Sequence, residues 1–179
     1  MSLNALFTGT LYLPDKALAS GTSPVMLSDG RTVALVQWHF WTARGKFEVL
    51  DPQGRVLAEG GAQGLTARRY VVKAPDGRIL VNIKLGLWRP INSAVITLAN
   101  GNALSVKQTT FWSDRNFEFF FNGRPVGRIT PTTRVFSFHP DSYAFELSVP
   151  VMSTVEAIGL AQSLRAVVRA ARAARSSSG

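Results

Sequence analysis

Two histidines, His39 and His139, and no cysteine are available for metal or nucleophilic chemistry. The histidines have no metal-ligand spacing with each other or with nearby acids. Asp141 stands close enough to His139 to orient an imidazole, but His139-Pro140-Asp141 coincides with a hairpin turn, and a turn accounts for the same residues. Asp114, Arg115, Asn116 and Glu118 form a polar cluster at a hairpin entry, where a local charge network is the ordinary outcome. No G-x-S-x-G, phosphate-loop or G-x-G-x-x-G pattern occurs. The lack of cysteine also removes disulfides and thiolate zinc sites. The chain is therefore expected to be no enzyme and to need no metal or cofactor.

Tryptophan next to arginine is the remaining pattern that could carry recognition. Trp38, Trp41, Arg44 and Lys46 follow closely on one another, Trp88 precedes Arg89, and Trp112 stands shortly before Arg115. An indole suits the apolar side of a headgroup boundary while a guanidinium holds phosphate. Trp41, Arg44, Lys46, Trp88, Arg89 and Arg115 are accordingly the candidate ligand-binding residues. The competing reading of the rings is plain packing on a strand face.

A second basic feature closes the chain. Arg165, Arg169, Arg172 and Arg175, at spacings of 4, 3 and 3, fall on one helical face, and no acid lies in the last 15 positions. Such a stripe meets phosphates or an acidic rim. Alternatively, it complements the negative end of its own helix and keeps it soluble. The net charge of +9 favours anionic partners, whether phosphoinositides, acidic lipid surfaces or nucleic acid. Aromatic and basic residues interleave too sparsely to favour nucleic acid.

The elements that must position these residues are legible as five successive hairpins. They are KFEVLDPQGRVLAEG (46–60), YVVKAPDGRILVNIK (70–84), AVITLANGNALSVKQT (94–109), NFEFFFNGRPVGRIT (116–130) and FSFHPDSYAFELSV (136–149). The first four turn on Asp-Pro, Asp-Gly or Asn-Gly and the fifth on His-Pro-Asp, residues that suit tight hairpins. Residues 5–12 and 32–41 add two strands, separated by a loop over 13–31, so twelve strands are expected. Alternation assigns faces. Phe117, Phe119 and Phe121 form one stripe, Ile79, Val81, Ile83 and Leu85 another, and Tyr143, Phe145 and Leu147 a third.

From residue 149 the period becomes helical, with Pro150 near the first turn and helix formers up to Arg175. Residues 151–168 are apolar almost all round, so this helix must be surrounded. Glu156 and Arg165 leave only eight residues between them, against the roughly 18 apolar residues of a membrane-spanning helix. Protein is the better surround. A barrel of twelve strands is too wide for its own side chains to fill, and a helix slimmed by Ala157, Gly159, Ala161, Ser163 and Ala166 would plug it. The 179 residues are thus expected to form one domain: a twelve-stranded antiparallel β-barrel enclosing a central C-terminal α-helix at about 150–175, with a frayed tail at 176–179.

This arrangement resembles the tubby C-terminal-like superfamily, which includes the plant LURP-one-related proteins and the phospholipid scramblases. FEVLDPQGRVLAEG and YVVKAPDGRILVNI look like the family's early repeats, and the terminal helix matches its central one. The resemblance implies the fold. It assigns no site residue, because the family's headgroup-binding motif matches no particular positions of this chain. Nor is a scramblase-like calcium segment evident, since Asp51-Pro52-Gln53-Gly54 and Asp114-Arg115-Asn116 are poor in carboxylates. The expected function is non-enzymatic docking on an anionic, phosphoinositide-like lipid or membrane surface. A protein–protein interaction module is the alternative, and scramblase-like lipid handling a third. No secretory signal opens the sequence, which predicts a cytoplasmic protein, peripheral at a membrane when bound.

Overall fold

The computed structural model describes residues 3–14, 21–39, 45–64, 68–87, 91–109, 116–132 and 142–176, with the Arg175 side chain excepted. Twelve antiparallel strands close on themselves: β1 Gly9–Pro14, β2 Thr22–Leu27, β3 Thr32–His39, β4 Lys46–Leu50, β5 Val56–Gln63, β6 Arg69–Lys73, β7 Ile79–Lys84, β8 Val95–Leu98, β9 Ala103–Gln108, β10 Phe117–Phe121, β11 Arg124–Pro131 and β12 Ser142–Leu147. Each strand pairs with its sequence neighbours, and β12 returns to β1 through Gly9↔Leu147 to Pro14↔Ser142. One helix, α1 Thr154–Ser176, follows. Residues 151–168 are buried except Arg165, so the apolar helix is surrounded by strands as its sequence requires.

The strand total agrees with expectation, but two contributions differ. Residues 13–31 are not all loop: β2 lies there, its periodicity broken by Pro24, which sits where β2 pairs with β3 alone. The fifth predicted hairpin supplies one described strand, β12, which pairs directly with β11; its turn and first arm lie outside the described residues. The first strand runs over Gly9–Pro14 rather than 5–12. The helix begins at Thr154, four residues beyond Pro150, and Ser176 belongs to it.

Four hairpin turns share one construction. In the fragment Ala74-Pro75-Asp76-Gly77-Arg78, the Gly77 N–H donates to Ala74 O and the Ala74 N–H to Arg78 O, both at 2.9 Å, while Asp76 Oδ1 accepts the Arg78 N–H. Gly77 has φ 84°, a left-handed conformation that a side chain would strain. The turns at Leu27–Arg31, Asp51–Arg55 and Leu98–Asn102 repeat both backbone bonds. A bulge follows three of them. The bulge after Arg78 corrects a predicted face: Lys73 pairs with Ile79 and Val72 with Val81, so Ile79 turns outward and Leu80 is buried. The Phe117, Phe119 and Tyr143, Phe145, Leu147 stripes face inward.

Side-chain volume sets where the helix lies. The inward residues of β5 are Ala58, Gly60 and Ala62, and the helix packs closest to β5 and then β6. A Cβ on Gly60 would collide with the Phe47 ring from β4, and one on Gly159 would come within 2.8 Å of Val72. The opposite wall carries Leu11, Leu13, Phe119 and Phe145, whose bulk fills the wider gap there. Phe119 and Phe145 stack with ring centroids 5.4 Å apart.

The helix start is fastened at the end of the barrel that carries the tight turns. Ser153 and Glu156 cap it reciprocally: Glu156 Oε2 accepts the Ser153 N–H at 2.7 Å, and Ser153 Oγ accepts the Glu156 N–H at 3.3 Å. Glu156 Oε1 accepts the Ala99 N–H, and Val151 O accepts from the side-chain amides of Asn100 and Asn102. An N-terminal strap completes the closure, with the Phe7 N–H donating to Met152 O and the Val155 N–H to Leu3 O.

Candidate functional site

Alternating strand direction sends every odd-numbered strand to the same end, opposite the tight turns. There the helix leaves the barrel: Val168 is buried, and residues 169–174 are exposed. At a rise of about 1.5 Å per residue, the eight residues from 169 to 176 project roughly 12 Å.

At this exit two features that looked separate in sequence meet. Trp38, next to last in β3, points inward and is 5% exposed, its ring 5.3 Å from Phe47. Arg165 Cζ lies 5.2 Å and Arg169 Cζ 5.8 Å from the Trp38 ring centroid. Arg165 Nη1 also donates to Pro14 O at the end of β1, 3.1 Å away. Cation–π contacts of this kind are worth about 0.5–2 kcal/mol each. Trp38 Nε1 is buried and has no hydrogen-bond partner. Gln162, fully buried, also leaves both amide atoms without a partner. It is three residues before Arg165 and seven before Arg169, so the three share one helix face.

The candidate residues distribute unevenly. Arg165 and Arg169 face the Trp38 ring, and Arg172 is exposed one turn further out. Arg175 lies in the helix, its side chain outside the described set. Lys46 opens β4 opposite His39, on the outer wall beside the exit. With His39, Glu48, Glu59 and Lys73 it lines a groove of about 410 Å³, where His39 Nε2 is 3.2 Å from Glu48 Oε1. Trp41, Arg44, Trp88, Arg89 and Arg115 lie outside the described residues, as do Trp112 and His139. The strand ends flanking their connections, His39 and Lys46, Lys84 and Val95, Gln108 and Phe117, all stand at the exit end.

Trp38 and Gln162 were not among the candidates. The stripe Ala34, Val36, Trp38 would have turned the indole inward, and the heptad from Gln162 to Arg169 would have aligned it with the arginine face. No group of three or more histidine, cysteine, aspartate or glutamate side chains gathers among the described residues. No described helix is long and apolar enough to cross a membrane.

Charge is arranged differently at the turn end. Arg31, Arg55 and Arg78 each meet an aspartate of their own turn: Asp29 at 3.5 Å, Asp51 at 2.6 Å and Asp76 at 3.8 Å. The Arg55 backbone N–H, with smaller help from the Arg55 guanidinium and the Gln53 N–H, holds the Asp51 carboxyl below the usual carboxylate range against the opposing effect of burial. Inside the barrel, burial pushes the Tyr70 hydroxyl up.

No family model and no curated protein matches this chain. Among solved structures, it is similar to the X-ray structure of a protein from Arabidopsis thaliana, with a TM-score of 0.59 over 96% of each chain at 11% identity. At that identity the likeness is one of fold, and it extends over 96% of this chain.

Proposed function

We propose that this chain is a non-enzymatic binding protein of the tubby C-terminal-like superfamily that docks on an anionic, phosphoinositide-like lipid or membrane surface through its helix exit. The observation that carries this reading is the pair of guanidiniums on the Trp38 ring, at the end where the helix emerges. Lys46, Arg69, Lys84 and Lys107 stand near strand ends on the same side, against Glu48 and Glu118. Leu87, 71% exposed, and Val95 offer apolar side chains at that end, as shallow insertion between headgroups would use. The twelve-stranded closure around a central helix supports the superfamily assignment. Docking of this kind would place the protein at the cytoplasmic face of a membrane.

Liposome flotation tests the reading. Binding that requires acidic lipid and weakens with added salt is expected, because exposed charges are screened over about 10 Å at 0.1 M. Flotation indifferent to lipid charge contradicts it. A second reading, docking of a protein partner, is favoured at the other end, where Leu6, Val56, Ile79 and Val149 are exposed beside charge-balanced turns. Scramblase-like lipid handling ranks third.

A further inference from the structure

We infer that the barrel is built to open along one seam, between β1 and β2 at the exit end, and that Arg165 is the clasp that holds this seam shut. Such a seam is a property of the barrel itself, separate from docking, and is read without lipid.

Strand pairing is thinnest at this seam. β1 is tied to β12 by six residue pairs, Gly9↔Leu147 to Pro14↔Ser142, but to β2 by two, Leu11↔Leu27 and Tyr12↔Met26. Among the described residues no other ladder of the barrel is as short. Beyond Tyr12↔Met26 both strands run on toward the exit, β1 through Leu13 and Pro14 and β2 back from Val25 to Thr22, with no ladder between them. There β2 keeps its β3 ladder alone, from Val25↔Ala34 to Thr22↔Gln37, and Pro24 brings no N–H. Leu13, Ser23 and Val25 are nonetheless buried, so this half of the seam is closed by side-chain packing rather than by a ladder. Segments held by few hydrogen bonds are where local opening starts.

Arg165 crosses that gap. It is the one residue of 151–168 that is not buried. Its Nη1 donates to Pro14 O, 3.1 Å away at the end of β1, while its Cζ lies 5.2 Å from the centroid of the Trp38 ring near the end of β3. β1 and β3 are the two neighbours of β2, so a single guanidinium ties together the strands on either side of the weakly paired one. The group suits the task, because a planar guanidinium donates along its edge while its face rests on an aromatic ring. A lysine ammonium has no such plane.

Amide hydrogen exchange, followed residue by residue by NMR, tests the clasp. Ser23, Val25 and Met26 of β2 are expected to exchange about tenfold faster than Tyr70, Val71 and Val72 of β6, which is laddered along its length on both sides. Arg165→Lys keeps the charge but loses the fork and the stacked face, and should speed β2 exchange about fivefold further while leaving β6 rates unchanged. The chain has no cysteine, so Tyr12→Cys/Met26→Cys places a single disulfide across the seam at a registered pair outside the core. Oxidation should slow β2 exchange to the β6 level, with or without Arg165→Lys, and reduction should restore it. A β2 as well protected as β6 overturns the seam, as does β2 exchange that ignores the disulfide. If Arg165→Lys leaves β2 exchange unchanged, or speeds β2 and β6 alike, Arg165 is not the clasp.

Discussion

The two ends of this barrel use arginine in opposite ways. At the turn end Arg31, Arg55 and Arg78 are each matched by an aspartate of the same turn, and the helix start is locked by Glu156, Ser153 and the Asn100–Asn102 turn. At the exit end Arg165 and Arg169 share one indole, and Arg172 follows in solvent. Matched charge and reciprocal capping close a structure. Two guanidiniums stacked on one indole instead gather positive charge where the helix emerges. The barrel wall between them is ordinary packing, so the asymmetry belongs to the ends.

If the turn end is structural, its central contact should dominate stability. Glu156→Ala removes the acceptor for the Ala99 and Ser153 N–H groups at once and is expected to cost about 2–4 kcal/mol, measured by denaturant unfolding. A loss below about 1 kcal/mol would mean that the strap and the asparagine turn fasten the helix without it. Gly60→Ala tests the wall that both ends share: its methyl meets the Phe47 ring and should cost about 1–3 kcal/mol.

The exit end should behave in the opposite sense, with stability given up for binding. Gln162→Met replaces two unpartnered amide atoms by an apolar chain of similar length, and should raise stability by about 1–2 kcal/mol. A destabilised variant would show that the amide is matched in solution. Arg169→Gln should change stability by less than about 1 kcal/mol, since its side chain is exposed and its ring contact is worth little more.

The smallest effect is in pH. The folded Asp51 carboxyl is held below its ordinary range, so its contribution is present above about pH 4 and is lost as pH falls through the lowered value. Asp51→Asn should therefore remove part of the acid-side loss of stability seen in unfolding curves below about pH 4. An unchanged acid limb would assign it to other carboxylates.

The architecture was legible because hairpin chemistry is local. Asp76-Gly77 and Asn100-Gly101 declare their turns within four residues, and the all-round apolarity of 151–168 declares a surrounded helix. What escaped was set by tertiary context. Pro24 hid β2 because its tolerance depends on which neighbour strand is paired, and the bulge at Ile79 inverted one side chain that alternation had turned inward. The site was half visible. The arginine face followed from helical spacing, but its meeting with Trp38 joins residues more than 120 positions apart, which no local pattern encodes.

The most direct test exchanges two positive charges at one end for two at the other. Flotation on acidic vesicles is compared for Arg165→Gln/Arg169→Gln and for Arg55→Gln/Arg78→Gln, which change net charge equally. At about 1 kcal/mol per basic residue near a surface, the exit-end pair should lose about 2 kcal/mol, roughly thirtyfold in binding, and the turn-end pair almost nothing. Equal losses from the two pairs would contradict a docking face at the helix exit.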